Sequence, residues 1–346
     1  MSKTLKVGLI GAGGISTVHI EGYQKSGKAE VVAICDISAD RAQAQAAKFK
    51  IPRVFTSAAK LLALAELDAV SICTPNFDHK ASTLKALQAG KHVLCEKPMA
   101  MNAKEACQMI AAEKKSGRKL QIGLNNRFTG GSQFLKRFIS DGHIGKPYYA
   151  RSLSIRRRGV PSWGVFGQKK LQGGGPLIDI GVHMIDLTWY LMGCPKPVAV
   201  SGKTYETIGK TPGHAGQFGP WDYKTYDVED FATALVRFEN GATMMVESAF
   251  CVNLDKDVWN CNIVGDKGGV SLTPLTVHTE VGGHLMDCTP AHIPNIQGHH
   301  AEVAAFVSAI LDNKPVPVPA AEAVWTTKII DGIYASSKSN KEVALK

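Results

Sequence analysis

An aspartate and a histidine stand four residues apart in Asp179-Ile180-Gly181-Val182-His183-Met184-Ile185-Asp186. On a helix that spacing puts both side chains on one face. An imidazole beside a carboxylate is a general base with its orienting partner, able to accept a proton near neutral pH. Asp186 continues the face, while Leu177, Ile180, Met184 and Leu187 form an apolar stripe that can be buried. The same spacing also fits a plain surface ion pair. A zinc site is not expected, because His-x-x-x-His spacing on a helix is absent. Upstream, Glu96-Lys97-Pro98 holds one lysine at the end of an apolar run. Its ammonium is a candidate electrophile or proton-relay group, since it can donate a hydrogen bond to a developing oxyanion. A base and such a cation together can take a proton from a hydroxyl and steady the charge left on its oxygen.

A third group of residues suits a nucleotide. Gly11-Ala12-Gly13-Gly14-Ile15-Ser16 follows the first apolar run. Its glycines permit a tight turn and let the backbone approach a pyrophosphate at a helix N-terminus. The third glycine of the full fingerprint is Ser16 here, and a simple strand-to-helix turn has the same composition. Asp36 ends the second apolar run, where a carboxylate can accept hydrogen bonds from ribose hydroxyls. A 2′-phosphate there would meet like charge at a cost of about 4 kcal/mol per pair at 4 Å and an effective dielectric near 20, which favours NAD over NADP. Arg41 keeps a phosphate acceptable, and Asp36 can also serve as a cap for the next helix. Thr74-Pro75-Asn76-Phe77-Asp78-His79 and Cys95-Glu96-Lys97-Pro98 close two further strands and should face the cofactor. Capping of the following helix is the alternative for Asn76 and His79.

The elements that must position these groups are legible in outline. Residues 7–10, 31–35, 69–73, 92–95 and 120–123 are short apolar runs without polar alternation, as strands buried on both faces require. Helical patterns such as 39–49 and 79–89 lie between them, the latter closed by Gly90. That rhythm predicts a doubly wound parallel α/β sheet. It changes near residue 124. A helix over Pro176 to Met192 follows Gly173-Gly174-Gly175, and alternating β-rich stretches occupy about 197–206, 228–238, 242–250 and 258–265. These predict an α+β domain with an open, mainly antiparallel sheet. Helical patterns return at 299–312 and 320–337. The expected division is 1–123 and 124–346, with the last helices able to pack back on the first domain.

The glycine loop, Thr74-Pro75-Asn76, Glu96-Lys97-Pro98 and Asp179-x-Gly-x-His183, in this order, resemble the Gfo/Idh/MocA oxidoreductases. The resemblance spans almost the whole chain. It implies a Rossmann domain, an open-sheet domain, a nicotinamide cofactor and a sugar, inositol or related polyol substrate. It also implies that Lys97 and His183 are catalytic, with Asp179 binding and orienting the reacting hydroxyl. Cofactor contacts are expected from Gly11, Gly13, Gly14, Ile15, Asp36, Thr74, Pro75, Asn76, His79, Glu96 and Lys97. Substrate contacts are expected from Lys97, Arg127, Arg157, Asp179 and His183. A narrower likeness through Arg156-Arg157-Arg158-Gly159-Val160-Pro161-Ser162-Trp163-Gly164-Val165-Phe166 into Gly173-Gly174-Gly175 points to the branch that forms 3-keto sugars from glycosides. It makes Trp163 a cofactor contact, with loop anchor as the alternative.

Composition bounds the remaining classes. The chain has 346 residues, 45% hydrophobic and 20% charged, and 40 Lys and Arg against 30 Asp and Glu give a net charge of +10. An anionic partner would suit that excess. Nucleic acid is not expected, because helix-turn-helix, RNP-like and zinc-finger patterns are absent and aromatics are not interleaved with basic runs. The eight cysteines form no Cys-x-x-Cys pair, which reads as reduced thiols. The first apolar run is too short for a signal segment, so a soluble cytoplasmic protein is expected, without membrane partners. Two other functions fit the motifs: a glycoside-cleaving enzyme that retains NAD and oxidises its substrate transiently, and a non-catalytic nucleotide sensor. A homodimer or homotetramer through the C-terminal sheet is expected from the resemblance.

Overall fold

A computed structural model describes residues 4–345 of the chain. The chain divides into two compact units, Met1–Phe128 with Gln297–Val324, and Thr129–Ile296 with Trp325–Lys346. The single boundary expected at 123/124 is therefore replaced by crossings after 128, 296 and 324.

In the first unit the chain runs β1 (Leu5–Ile10), α1 (Gly14–Ser26), β2 (Ala29–Cys35), α2 (Ala39–Phe49), β3 (Arg53–Phe55), α3 (Ala58–Leu62), β4 (Ala69–Ile72), α4 (Asn76–Gln88), β5 (His92–Glu96), α5 (Ala103–Ser116) and β6 (Leu120–Gly123). All six strands are parallel, in the order β3-β2-β1-β4-β5-β6. The order reverses outward from β1, so the carboxyl ends of β1 and β4 flank the switch point where open α/β sheets bind ligands. The strands are apolar throughout because both faces are covered: Leu5, Val7, Leu9 and Ile34 pack with Phe306 and Val307 in one buried cluster. Helix α1 ends at Gly27, α2 opens with Ser38 accepting the Arg41 N–H, and α5 opens with Asn102 accepting the Glu105 N–H.

The second unit carries α6 (Gly130–Ser140), β7 (Pro147–Ile155), a short α7 (Lys169–Gln172), a π-helical turn Leu177–Gly181 and α8 (Val182–Leu191). Then follow β8 (Pro197–Tyr205), β9 (Phe231–Phe238), β10 (Thr243–Ala249), β11 (Val258–Gly265), β12 (Gly269–Ser271), β13 (Thr276–Val281) and β14 (His284–Cys288). Helix α9 (Gly298–Leu311) belongs to the first unit, α10 (Ala320–Ser339) begins there and ends in the second, and β15 (Val343–Ala344) closes the larger sheet. That sheet has the order β14-β13-β12-β11-β7-β10-β9-β8-β15. Every pairing in it is antiparallel except β7 with β10. On β9 and β10 buried Ala232, Ala234, Val236, Met244 and Val246 alternate with half-buried neighbours, the pattern of a sheet covered on one face.

No described helix is long and apolar enough to cross a membrane. The eight cysteines are all free thiols.

Candidate functional site

The nucleotide-binding edge is built from backbone. Gly11 has φ +100°, and a Cβ there would lie 2.4 Å from the Cys73 carbonyl oxygen, so only glycine fits. At Gly13 and Gly14 a Cβ would meet no protein atom, which leaves the amino end of α1 open to a ligand. Ser16, in place of the third glycine, turns its hydroxyl back to the Gly13 carbonyl at 2.6 Å and is buried. Ile15 is half-buried in the first turn of α1. Asp36 accepts the Ala12 N–H (2.8 Å) and Ser38 N–H (2.8 Å) and pairs with the Arg41 guanidinium (3.0 Å). Burial opposes its charge, but these donors outweigh that and hold the carboxyl below its usual range. Asp36 thus stays ionised and ties the glycine loop to the end of β2.

The turn after β4 differs in detail from expectation. Helix α4 begins at Asn76, three residues ahead of the pattern, and Pro75 rather than Asn76 or His79 is its N-cap. Buried His79 directs Nδ1 to the Pro98 carbonyl (2.7 Å) and Nε2 to the Thr74 carbonyl (2.9 Å). Both ring nitrogens join two loops, so His79 ties the turn after β4 to the one after β5. Thr74 is different: its Oγ1 is buried without a protein partner, a group that a bound nucleotide would satisfy. Glu96 is also buried, one oxygen on His19 Nε2 (2.8 Å) and the other on the Lys97 N–H (3.1 Å). Lys97 is half-buried directly beyond the end of β5. The open glycines, the ionised Asp36 and the orphaned Thr74 hydroxyl together fit a dinucleotide.

Arg127, an expected substrate contact, is held within the fold. Its side chain is 2% exposed and its guanidinium is ion-paired with Glu322. A cation so enclosed needs that carboxylate for its own burial.

In the second unit, three glycines let the Asp179 turn be reached. A Cβ on Gly174 would lie 2.0 Å from the Tyr334 hydroxyl, and one on Gly175 2.1 Å from the Glu229 carbonyl. Gly173, at φ +89°, ends α7. Glu229, unremarked in the sequence, accepts the Gly175 N–H (2.9 Å), the Leu177 N–H (3.1 Å) and the Tyr334 hydroxyl (2.8 Å). It satisfies the first amides of the turn. The expected single helix is instead a π-helical turn over Leu177–Gly181 continuing into α8, and such turns recur at functional sites. Asp179 lies in the π turn, 7% exposed, and half-buried His183 lies at the start of α8. Asp186 is buried and accepts the Thr326 hydroxyl at 3.3 Å, a structural role.

Two neighbours of this pair were not foreseen. The His183 ring lies 6.1 Å from the Trp259 ring, tilted by 58°. The Arg156 guanidinium lies over Phe218 (5.4 Å) and Phe250 (5.7 Å); burial pushes its pKa down, while Asp179 and Asp257 oppose that. The Arg156-Arg157-Arg158 run was the available signal, but it lies just past the end of β7, where the path of the loop decides which arginine turns inward. Arg157, the expected substrate contact, directs its guanidinium to the Asp255 carbonyl (3.2 Å), and Arg158 bonds the Val252 carbonyl (2.8 Å). Trp163 is 56% exposed and meets Phe218 (5.3 Å) and Phe166 (6.3 Å) edge-on, beside a small cavity that Trp221 and Tyr226 also line. The loop carrying Phe218 and Trp221 is anchored by Asp230, whose carboxylate accepts the N–H groups of Thr207 and Gly209.

Comparison with known proteins agrees with this geometry. Residues 5–124 match the oxidoreductase family with an NAD-binding Rossmann fold, and 136–345 match the C-terminal alpha/beta domain of the same family. The chain is 37% identical over 347 residues to D-glucoside 3-dehydrogenase of Escherichia coli, covering 99% of this chain and 98% of that one. It is 30% identical to myo-inositol 2-dehydrogenase of Thermotoga maritima over 71% of this chain and 68% of that one. An aldose-aldose oxidoreductase from Caulobacter crescentus superposes with a TM-score of 0.84 at 26% identity, covering 99% and 100% of the two chains. With a nucleotide edge built on Gly11, Asp36 and Thr74 and both family domains matched in order, the chain belongs to the Gfo/Idh/MocA family of NAD-binding oxidoreductases.

Proposed function

We propose that the protein is an NAD-dependent dehydrogenase of neutral sugars or glycosides. Bound NAD supplies the hydride acceptor, held by the glycine loop, Asp36 and Thr74. His183 removes the proton of the reacting hydroxyl, Asp179 binds and orients that hydroxyl, and the Lys97 ammonium donates a hydrogen bond to the developing alkoxide. The observation that carries the reading is the π turn that presents Asp179 one helical turn before His183, with the flat Trp259 ring beside the imidazole. An indole face suits the C–H face of a pyranose. Because the Arg156 charge is already answered by Asp179 and Asp257, an acidic or phosphorylated sugar is not called for.

The names of the D-glucoside 3-dehydrogenase and the myo-inositol 2-dehydrogenase support a ring hydroxyl as the site of oxidation, and the former supports position 3 of a glucoside. The test is a screen of sugars, inositols and glycosides with NAD and with NADP, with mass spectrometry of the product. A 3-keto sugar formed with stoichiometric NADH is the expected result. Aglycone release without NADH would replace oxidation by cleavage, and nucleotide binding without turnover of any sugar would leave a sensor. Replacing Lys97 by Met should slow turnover about 100- to 1,000-fold while NAD still binds, the scale of losing one donor to an oxyanion; full activity in Lys97→Met removes the role given to the ammonium.

Two copies are proposed to pair through the less covered sheet face, where half-buried Leu235 and Met245 stand opposite each other on β9 and β10, flanked by Thr233 and Glu247. The free thiols fit a reducing, cytoplasmic setting.

A further inference from the structure

Behind the nucleotide edge of the first unit lies a group of buried ionisable side chains that the proposed chemistry does not use. His19 on α1 is wholly buried. Its Nε2 lies 2.8 Å from Glu96 Oε1, and its Nδ1 lies 3.0 Å from the Ser71 hydroxyl, which lies 2.7 Å from the Tyr23 hydroxyl. A carboxylate oxygen of Glu302 on α9 belongs to the same cluster, within 4.8 Å of His19 and Glu96 ligand atoms. Gly123 on β6 leaves room for the pair, since a Cβ there would lie 2.9 Å from Glu96 Oε1. Burying charged groups is costly, and apolar side chains of similar volume would fill the space at less cost. Retaining the ions therefore calls for a purpose.

The connectivity supplies one. Glu96 Oε1 is fixed by the imidazole, and Glu96 Oε2 accepts the main-chain N–H of Lys97 at 3.1 Å. A carboxylate engaged through both oxygens cannot rotate, and hydrogen bonds to ionised groups are the stronger ones. We propose that the His19–Glu96 pair is a positioning device for Lys97, clamping the main chain just past β5 so that the ammonium leaves the strand end from a fixed point. This rests on the reading of Lys97 as the group that steadies the alkoxide. Ser71 and Tyr23 extend the clamp by anchoring the far side of the imidazole.

The experiment compares Glu96→Gln, Glu96→Asp, His19→Gln, Ser71→Ala and Lys97→Ala, with Glu96→Gln also placed on Lys97→Ala. Each NAD-loaded protein is mixed with the sugar best turned over in the screen, and the single-turnover rate constant for NADH formation is read. That rate constant, unlike its amplitude, does not depend on the fraction of protein that is folded, so a merely structural role leaves it unchanged. Glu96→Gln and His19→Gln are expected to slow it about 10- to 100-fold, the scale of a small misplacement of a catalytic group. Glu96→Asp, which keeps the charge but withdraws it, should fall between, and Ser71→Ala should cost least. Should His19→Gln fail to fold, Ser71→Ala and Glu96→Gln carry the test. On Lys97→Ala, Glu96→Gln should cost nothing more, because residues acting through one group are not additive.

A wild-type rate constant in Glu96→Gln, alongside a Lys97→Ala slowed about 100- to 1,000-fold, overturns the clamp and leaves the role of Lys97 standing. Equal losses from Glu96→Gln with and without Lys97 also overturn it. Full activity of Lys97→Ala overturns both readings at once.

Discussion

The His19–Glu96 pair has a consequence for stability that is independent of catalysis. Burial opposes charge on His19, but the facing Cys73 sulfur and Glu96 carboxylate outweigh it and hold the ring protonated well above its ordinary range. Burial also opposes charge on Glu96, yet His19, with His299 and Lys97 further off, brings its carboxyl down to about 2. The depressed carboxylate stabilises the fold above the unfolded carboxyl value and loses that contribution as pH falls toward 2. The raised imidazole stabilises it below the unfolded histidine value and loses that contribution as pH rises through its folded value. The two contributions are one interaction, complete between about pH 4.5 and 6.5. His19→Gln should therefore cost about 3 kcal/mol in urea unfolding near pH 5.5, the penalty for a buried charge left unpaired, and clearly less at pH 2.5. At residue scale, too, the role proposed for Asp36 in choosing the cofactor can be tested. Asp36→Asn should raise the KM for NAD by about tenfold, the worth of one charge-assisted hydrogen bond, while NADP is used better than by the wild type.

At the scale of elements, close approaches decide which glycines matter. Gly174→Ala should destabilise by about 2 kcal/mol, as overpacking does, since the Tyr334 hydroxyl 2.0 Å from the new Cβ is itself held on Glu229. Gly181→Ala meets the Ser248 hydroxyl at 3.0 Å, the Ser248 Cβ at 3.3 Å and the Pro176 carbonyl at 3.4 Å, looser approaches that should cost less, so the ordering of the two melting temperatures is the check. The same elements show where sequence patterns held. The strands β1, β2, β4, β5 and β6 were legible because both faces are apolar, and β8 to β11 because one face alternates. Thin patterns were passed over: β13 and β14 are exposed over most of their length, although Gly282-Gly283, at φ +60° and +79°, was a readable hairpin turn. The π turn left no periodic trace, because its one inserted residue is tolerated by packing on Glu229 and Ser248 rather than by local preference.

For the whole molecule, the net charge of +10 loses its first significance. Buried Arg127 answers Glu322, and at the surface Arg41 answers Asp36, Arg53 answers Glu66 and Arg237 answers Glu342, so these arginines are already paired within the protein. Electrophoretic shift assays with duplex DNA at physiological salt should show no binding beyond what salt removes. Association through the sheet face predicts a different readout. Leu235→Glu, placing a charge opposite Met245, should convert a dimer to monomers in sedimentation, and a wild type that sediments as a monomer would retire that surface.

The sequence by itself determined the doubly wound first domain and the mainly antiparallel second sheet, and it singled out the glycine loop, Lys97, Asp179 and His183 as the residues to test. Each is written in local order: apolar runs, glycines and spacings that act within a few residues. Only tertiary structure decided the partners. The Arg156 guanidinium feels the charge of Asp179, Arg127 pairs with Glu322, His79 joins two loops, Glu96 is gripped by a histidine 77 residues away, and Glu229 caps a turn 52 residues upstream. Such pairings depend on which way a side chain leaves its strand and on what the fold buries beside it, and a one-dimensional pattern carries neither.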